Sequence, residues 1–509
     1  MRSGRPKVLH AIGGRSLLGH AIAAARGADP HHLAVIVRHQ RDLVAEHVAE
    51  LDAAAVIADQ DDVVGTGRAV ECGLAALPDD LAGTVLVTYG DVPLLRSDTL
   101  VDLLEAHTAS ASAVTVITAS LEDPTGYGRI LRDADGTVSA IVEHKDATDQ
   151  QRAVTEINSG LYAFDAAVLR EALGEVGTDN AQGEKYLTDV LAIARGRGLT
   201  VSAHLIDDLW QTEGVNDKVQ LARLGAELNR RTVEQAMRDG AIILDPATTW
   251  IDADVRIGQD TTIHPHTQIH GASTIGADCT IGPDTTLTDV EIGDGASVVR
   301  TQALLAVIGA GASVGPFSYL RPGTVLGVDS KVGGFVETKN ARIGARAKVP
   351  HLTYAGDVTI GEGANIGAGA IFANYDGVTK HESSVGAHSF VGSNSVLVAP
   401  VAIADGAYVA AGSAITGNVG PAQMAVSRAR QRNVEGWVAR QRAGTKSAAA
   451  AEAALAQEAL AQEATTEGQA VQVSDPVAGH PGEAARHTRD AARHETSRRT
   501  DEVEEGARS

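Results

Sequence analysis

Aromatic residues are scarce: Phe, Trp and Tyr make up 3% of the 509 residues, few for a large globular chain. Packing must therefore rest on Ile, Val, Leu and Ala. Cysteine is nearly absent. Cys72 and Cys279 form neither a CxxC nor a metal-ligand spacing, so they read as small core residues of a reducing compartment. Positive charge is in deficit, and a net charge of -22 argues against nucleic acid as a main partner, because phosphate binding needs a basic surface. Long apolar runs are missing too. Leu17 to Ala25 follows basic residues, but His20 interrupts it and nothing reaches membrane length. Neither a signal peptide nor a membrane partner is expected, and the reading is a cytoplasmic protein. At this length one core does not suffice, and two or three units are predicted.

What is present is a repeat. Ile251, Ile257, Ile263, Ile269, Ile275, Ile281 and Leu287 recur at every sixth position. With aliphatics at roughly a quarter of ordinary sequence, such a run arises by chance about once in ten thousand starts. Period six fits neither an α-helix nor an ordinary strand, and it predicts a left-handed parallel β-helix over 241–432 with each aliphatic pointing into the bore. About three hexads close one coil, and stacked coils share one core. Gly258, Gly276, Gly282, Gly309, Gly344, Gly361, Gly367 and Gly386 take the second hexad position, which predicts tight bends at the corners.

Ahead of the repeat, apolar strands alternate with helical stretches in an α/β, Rossmann-like rhythm over 1–216. Candidate strands are Leu33 to Val37, Ala54 to Ala58, Val85 to Thr88, Val114 to Thr118 and Thr200 to Leu205, with helices at Ala69 to Leu77 and Tyr186 to Ala194. Ligands in such sheets sit beyond the carboxyl ends of strands, where Tyr89, Gly90 and Asp91 follow one. From Asp217 to Gly240, apolar residues at three- to four-residue spacing predict a linker helix stopped by Gly240. Residues 433–509 read as a low-complexity, disordered tail with a helical stretch from Ala448 to Ala464.

Coil geometry sorts the polar residues of the repeat. Residues about eighteen apart stack on one face, roughly 4.8 Å from their neighbours. His264 and His270 fall on successive faces and diverge, which argues against a metal held with His266 within one chain. Arg321 and Lys339 are stacked cations, even allowing a one-residue register shift around Thr338 to Ile343. Like charges so placed repel, and an anion filling the gap relieves them. His351 is a candidate base, since His titrates near 6.5 and positioned bases contribute roughly 10² to 10⁴ in rate. Ala368, Ser393 and Ala411 take the third place of their hexads and predict a ladder of small side chains, lengthened by an excursion loop from Phe372 to Ser384.

A series of short words adds specificity: Pro6-Lys7-Val8-Leu9-His10, Gln60 with Gly65-Thr66-Gly67, Tyr89-Gly90-Asp91, Gly126-Tyr127-Gly128-Arg129, Glu143-His144-Lys145, Glu156-Ile157-Asn158-Ser159-Gly160 and Gly214-Val215-Asn216. Joined to hexapeptide repeats, this series resembles the bifunctional bacterial N-acetylglucosamine-1-phosphate uridylyltransferase/glucosamine-1-phosphate N-acetyltransferase family, over about residues 1 to 440. The resemblance implies acetyl transfer from acetyl-CoA to glucosamine 1-phosphate, then uridylyl transfer from UTP with release of pyrophosphate. It implies Mg²⁺ on Asp91 and Asn216, a phosphate contact at Lys7, uracil contacts at Gln60, Gly65 and Thr66, and sugar contacts at Gly128, Glu143 and Asn158. In the repeat it implies His351 as base and Arg321, Lys339, Tyr354 and Asn365 around the amino sugar. Ala368, Asn374, Tyr375, Ser393, Ala411 and Arg428 match its acetyl-CoA contacts. A homotrimer is implied as well.

One departure stands out. The family opens with a strand and a Gly-rich loop of the form LAAGxGTRM, and here Met1-Arg2-Ser3 aligns with the end of that motif. The expectation is a start placed at an internal codon, a sheet lacking its first strand, and uridylyl transfer close to absent in the chain as written. An acetyltransferase alone is therefore the alternative reading, and a non-catalytic β-helix scaffold a more distant one.

Overall fold

The alternating apolar segments of the first half fold as β1 (Ala34–Val37), β2 (Val56–Asp59), β3 (Thr84–Val87), β4 (Val114–Ser120), β5 (Arg129–Arg132), β6 (Val138–Val142), β7 (Glu156–Asp165) and β8 (Val201–Leu205). Helices α1 (Leu17–Gly27), α2 (Arg41–Leu51), α3 (Thr66–Ala75) and α4 (Ser97–Ala109) cover them. The computed structural model describes residues 1–180 and 182–470.

The sheet is in two pieces. β1 pairs only with β2, in parallel, while β3 joins β4 to β8 through the long antiparallel strand β7. The edges of β1 and β3 border a cavity of about 260 Å³ lined by apolar groups that include Leu18, Ile22, Val35 and Val87, and by Thr88, Tyr89 and Gly90. No described strand pairs with both edges. The five expected strands are present within two residues of their bounds, and β5, β6 and β7 add to them. Their antiparallel pairing departs from a purely parallel sheet.

The linker helix runs over Lys218–Arg238, and the Asp217 carboxylate accepts the Val219 and Gln220 amides at 2.8 Å as its cap. Gly240, at φ +109°, ends it. The buried Asn229 clamps the first coil: its amide donates to the Thr249 carbonyl (2.8 Å) and its oxygen accepts from Ile251 N (2.9 Å).

Beyond it, two-to-seven-residue strands stack in parallel, coil on coil, as a left-handed β-helix of three faces. Of the seven periodic aliphatics, Ile251, Ile263, Ile269, Ile275, Ile281 and Leu287 are buried in one continuous core and Ile257 packs against it. Cys279 lies in the bore and Cys72 is half-buried; both are free thiols.

The hexad glycines mostly serve close coil packing and not the tight bends expected of them. Of the eight, only Gly282 has positive φ (+92°). The others are required by close approach of the next coil. A Cβ on Gly258 would lie 2.6 Å from Ala277 N, and one on Gly361 2.5 Å from Ala387 N. Gly361→Ala is thus expected to destabilise the β-helix by about 1–3 kcal/mol, as overpacking does when the neighbour is backbone; a lower denaturant midpoint checks this.

The chain divides after Arg428. The second unit has helices over Trp437–Gln441 and Lys446–Ala470, a departure from the disorder expected after Arg432, although the Ala- and Glu-rich stretch is helical as anticipated. The rest of the expected tail, 471–509, lies outside the described residues. No described helix is long and apolar enough to cross a membrane.

Candidate active sites

Two sites follow from this architecture, one at the carboxyl end of β3 and one on the β-helix. At the first, Lys7, at the start of a 3-10 turn, meets Asp91 and Asn216. Its Nζ is 2.5 Å from Asp91 Oδ2 and 3.2 Å from Asn216 Oδ1, so three residues distant in the chain converge on one point. The Val215 amide also donates to the Asp91 carbonyl at 3.0 Å, tying the two segments together.

Tyr89 bridges from this point to a second cluster. Its ring lies against Gly160, at φ +81°, where a Cβ would collide with it. Burial, then the Glu143 and Asp91 carboxylates, push its phenol up to about 12. Gly128 adjoins Glu143 and Asn158, since a Cβ there would stand 3.4 Å from Glu143 Oε1 and 3.5 Å from Asn158 Cβ. Burial, then Asp146 and Asp189, raise the Glu143 pKa above the usual range. Asn158 Oδ1 already accepts from Gly160 N (3.0 Å) and the Tyr162 hydroxyl (2.9 Å), which leaves its N–H groups to offer a ligand.

A third patch flanks α3. Gln60 Nε2 donates to the carbonyls of Val63 (3.0 Å) and Gly65 (3.2 Å). Gly65, at φ +121°, lies so close to the Lys185 backbone that no side chain fits, and the Thr66 hydroxyl accepts from Leu187 N at 3.2 Å. Of these words, Thr66, Tyr89 and Gly90 line the cavity between β1 and β3.

On the β-helix, Leu320 pairs with Thr338, and Arg321 N donates to the Thr338 carbonyl at 2.9 Å. This seats Arg321 beside Lys339. By Val325 and Arg342 the coil spacing has dropped from 18 to 17, the register shift expected over this segment. Arg321 also pairs with Glu337 at 2.8 Å. The Lys339 pKa is lowered, first by the Lys380 ammonium and further by Arg321. Lys380 escaped the periodicity reading because it lies in the excursion loop. A bridge between Tyr375 and Lys380 folds the loop back, and Asp376 holds it through Thr379 N (2.7 Å), Val378 N (2.8 Å) and the His381 ring (2.8 Å). Three cations with the Glu337 and Asp357 carboxylates close by make a seat for an anion.

Tyr354 stands next to them, its strand partner being Glu337. Its ring covers Gly356, and its hydroxyl is 3.5 Å from Asn374 Nδ2. His351 lies three residues earlier, exposed, across the corner formed by Leu352 at φ 49°. Lys348 pairs with Asn365, and continuing that register by three places sets Ala368 beside His351; Gly369 N donates to the His351 carbonyl at 3.1 Å. Ser393 and Ala411 extend the same column, since Ile366 pairs with Val391 and Val391 with Val409. The structure therefore brings His351 to the head of the small-residue ladder, with the cations on the adjoining face. Tyr375 turns its hydroxyl to the Gly377 carbonyl (2.6 Å), and Arg428 is exposed at the unit's end.

No group of three or more His, Cys, Asp or Glu able to hold a metal occurs among the described residues. His270 instead faces Asp252 at 3.4 Å, and that hydrogen bond raises its pKa.

Residues 1–156 match the MobA-like NTP transferase domain family, 254–289 the bacterial transferase hexapeptide family and 383–417 the hexapeptide repeat of succinyl-transferase. The chain is 58% identical over 471 residues to the bifunctional protein GlmU of Pseudarthrobacter chlorophenolicus, covering 92% of this chain and 96% of that one. It is 56% identical to the namesake of Corynebacterium glutamicum (strain ATCC 13032), over 89% of this chain and 94% of that one. The protein of the same name from Mycolicibacterium gilvum is 57% identical, over 89% and 92%. With a nucleotidyltransferase half and a hexapeptide-repeat half in one polypeptide, the chain belongs to the GlmU family of bifunctional enzymes that synthesise UDP-N-acetylglucosamine.

Proposed function

We propose that the β-helix half moves an acetyl group from acetyl-CoA to the amine of glucosamine 1-phosphate, and that the α/β half joins the product to a uridylyl group from UTP with release of pyrophosphate. What supports this reading most is the position of His351 at the Leu352 corner, where two surfaces meet. One holds Arg321, Lys339 and Lys380; the other is the Ala368, Ser393 and Ala411 column.

The three cations take the sugar phosphate, and Tyr354 and Asn365 hold the amino sugar. The acyl carrier's extended arm lies along the column, with Asn374, Tyr375 and Arg428 as further contacts. His351 removes a proton from the attacking amine as the new N–C bond forms and the C–S bond breaks, and the carrier leaves as its thiol.

In the other half, Asp91 and Asn216 turn two oxygen donors on the same point, now satisfied by the Lys7 ammonium, which fits a hard divalent cation such as Mg²⁺. That ion, when bound, neutralises phosphate charge. Lys7 contacts the nucleotide phosphates, Gln60, Gly65 and Thr66 seat the uracil, and Gly128, Glu143 and Asn158 hold the sugar. Positioning and charge neutralisation suffice for such a transfer, and no covalent nucleophile is needed.

We read the working form as a cytoplasmic homotrimer. An exposed corner column supports this: Phe317 and Phe335 stack with ring centroids 5.3 Å apart, and Leu352 continues them. Apolar groups so exposed suit burial against a second copy.

An acetyltransferase acting alone is the second reading, favoured by the unpaired edges of β1 and β3 beside Tyr89 and Gly90. Supplying glucosamine 1-phosphate and acetyl-CoA with and without UTP decides between them. The bifunctional reading expects N-acetylglucosamine 1-phosphate without UTP, and UDP-N-acetylglucosamine plus pyrophosphate with it, a result that overturns the expected near-absence of uridylyl transfer. Arrest at the acetylated sugar phosphate in both cases selects the second reading, and no thiol release contradicts both.

A further inference from the structure

Asn340, Asp357 and Asn374 form a polar column through three successive coils. Lys339 pairs with Gly356 and Ala341 with Val358, which sets Asn340 beside Asp357. Tyr354 pairs with Ile371, and the same register sets Asp357 beside Asn374. Asn340 and Asp357 occupy the left-handed region, φ 45° and 48°, in the segment where the coil spacing shortens. Asp357 and Asn374 are buried, 9% and 7% exposed. Asn340 Nδ2 donates to Asp357 Oδ1 at 2.9 Å, and Asn374 Nδ2 makes a short bond to Asp357 Oδ2.

A carboxylate only accepts hydrogen bonds, so it dictates which way a neighbouring amide turns. With Asp357 between them, both asparagines must point their NH₂ groups at it. For Asn374 this commits the nitrogen, which also lies 3.5 Å from the Tyr354 hydroxyl, and leaves the carbonyl oxygen as its free group. Asn374 would otherwise present donor or acceptor with equal ease.

We infer that Asp357 is a positioning residue, which locks the Asn374 amide so that it offers a substrate an acceptor and never a donor. The inference rests on the acetyltransferase reading of this site. The group recognised is then an N–H donor. Two sources carry one: the amine of the sugar and the amides of the acyl carrier's arm. The Michaelis constants of the two substrates distinguish them.

The test uses the full chain and follows thiol release. Asp357→Asn keeps the shape but introduces an NH₂ that competes with those of its neighbours, so the Asn374 amide loses its fixed orientation. KM for one substrate is expected to rise about tenfold or more, the loss of one well-placed hydrogen bond, while kcat and the other KM change less than about threefold. A rise confined to acetyl-CoA identifies the carrier's amide as the donor, and one confined to the sugar identifies its amine. Adding Asn374→Asp to Asp357→Asn restores one carboxylate facing one amide, with an acceptor still presented, and is expected to recover the lost KM. Both constants within about twofold of the parent would overturn the inference. So would equal losses toward both substrates with a lowered melting temperature that the paired variant does not recover, which marks a merely structural role. A parent chain that releases no thiol refutes the acetyltransferase reading instead.

Discussion

Replacing His351 by alanine should lower the rate of acetyl transfer to glucosamine 1-phosphate by roughly 10²- to 10⁴-fold, the contribution of a positioned base. The loss should fall on kcat, with the KM for either substrate little changed, because phosphate and carrier are held by other groups. His351 is exposed at a corner, so the substitution removes no core packing, and the melting temperature should not move. Thiol release from acetyl-CoA measures the rate. An unchanged kcat would mean that His351 is a surface turn residue and that the proton leaves by another route.

The second large effect belongs to the other half. Asp91→Ala removes the charged member of the pair that meets at Lys7, 2.5 Å from its Nζ. UTP-dependent pyrophosphate release should fall roughly 10²- to 10³-fold, as when one preorganised stabiliser of developing charge is lost. Acetyl transfer by the same preparation should be unaffected, since its residues lie on the β-helix. Asp91→Asn separates two contributions: it keeps an oxygen donor and loses the charge. If Asp91 acts through a divalent cation, the asparagine variant should need a higher concentration of that cation for half-maximal rate. Pyrophosphate release that persists in Asp91→Ala would remove this carboxylate from the mechanism.

Much of the β-helix was legible because its core obeys a strict period: an aliphatic at each sixth position has one environment, the bore. Stacking of Arg321 on Lys339, and of Ala368 on Ser393 and Ala411, followed from that period once coils were counted. Lys380 was not legible because the excursion loop leaves the repeat, and nothing local records that the loop folds back on Lys339. The role of Asp357 was hidden for a related reason, since its partners lie one coil away on either side. The glycines were noticed at the right positions with the wrong cause. A turn and a close approach both demand the absence of a side chain, and only the neighbouring coil's backbone tells them apart.

In the α/β half, β1, β2, β3, β4 and β8 were visible as apolar runs. In β5 only Ile130 and Leu131 stand between two arginines, in β6 Ser139 interrupts the apolar residues, and in β7 the half-buried polar residues Glu156 and Asn158 break the run. That strand carries Asn158, so this candidate is read from its surrounding word rather than from its strand. Linker-helix spacing was plain in the sequence, but the use of Asn229 as a clamp on the first coil was not.

The central claim is that a β-helix face seats a phosphorylated amino sugar against His351. Its most direct measurement is kcat/KM for glucosamine 1-phosphate against glucosamine, followed by thiol release from acetyl-CoA. Charge-assisted hydrogen bonds contribute about 1.5–3 kcal/mol each, so Arg321, Lys339 and Lys380 together predict a preference for the phosphorylated sugar on the order of 10²-fold or more. That preference should fall by about tenfold or more in Lys339→Ala. Equal kcat/KM for the two sugars would contradict the account.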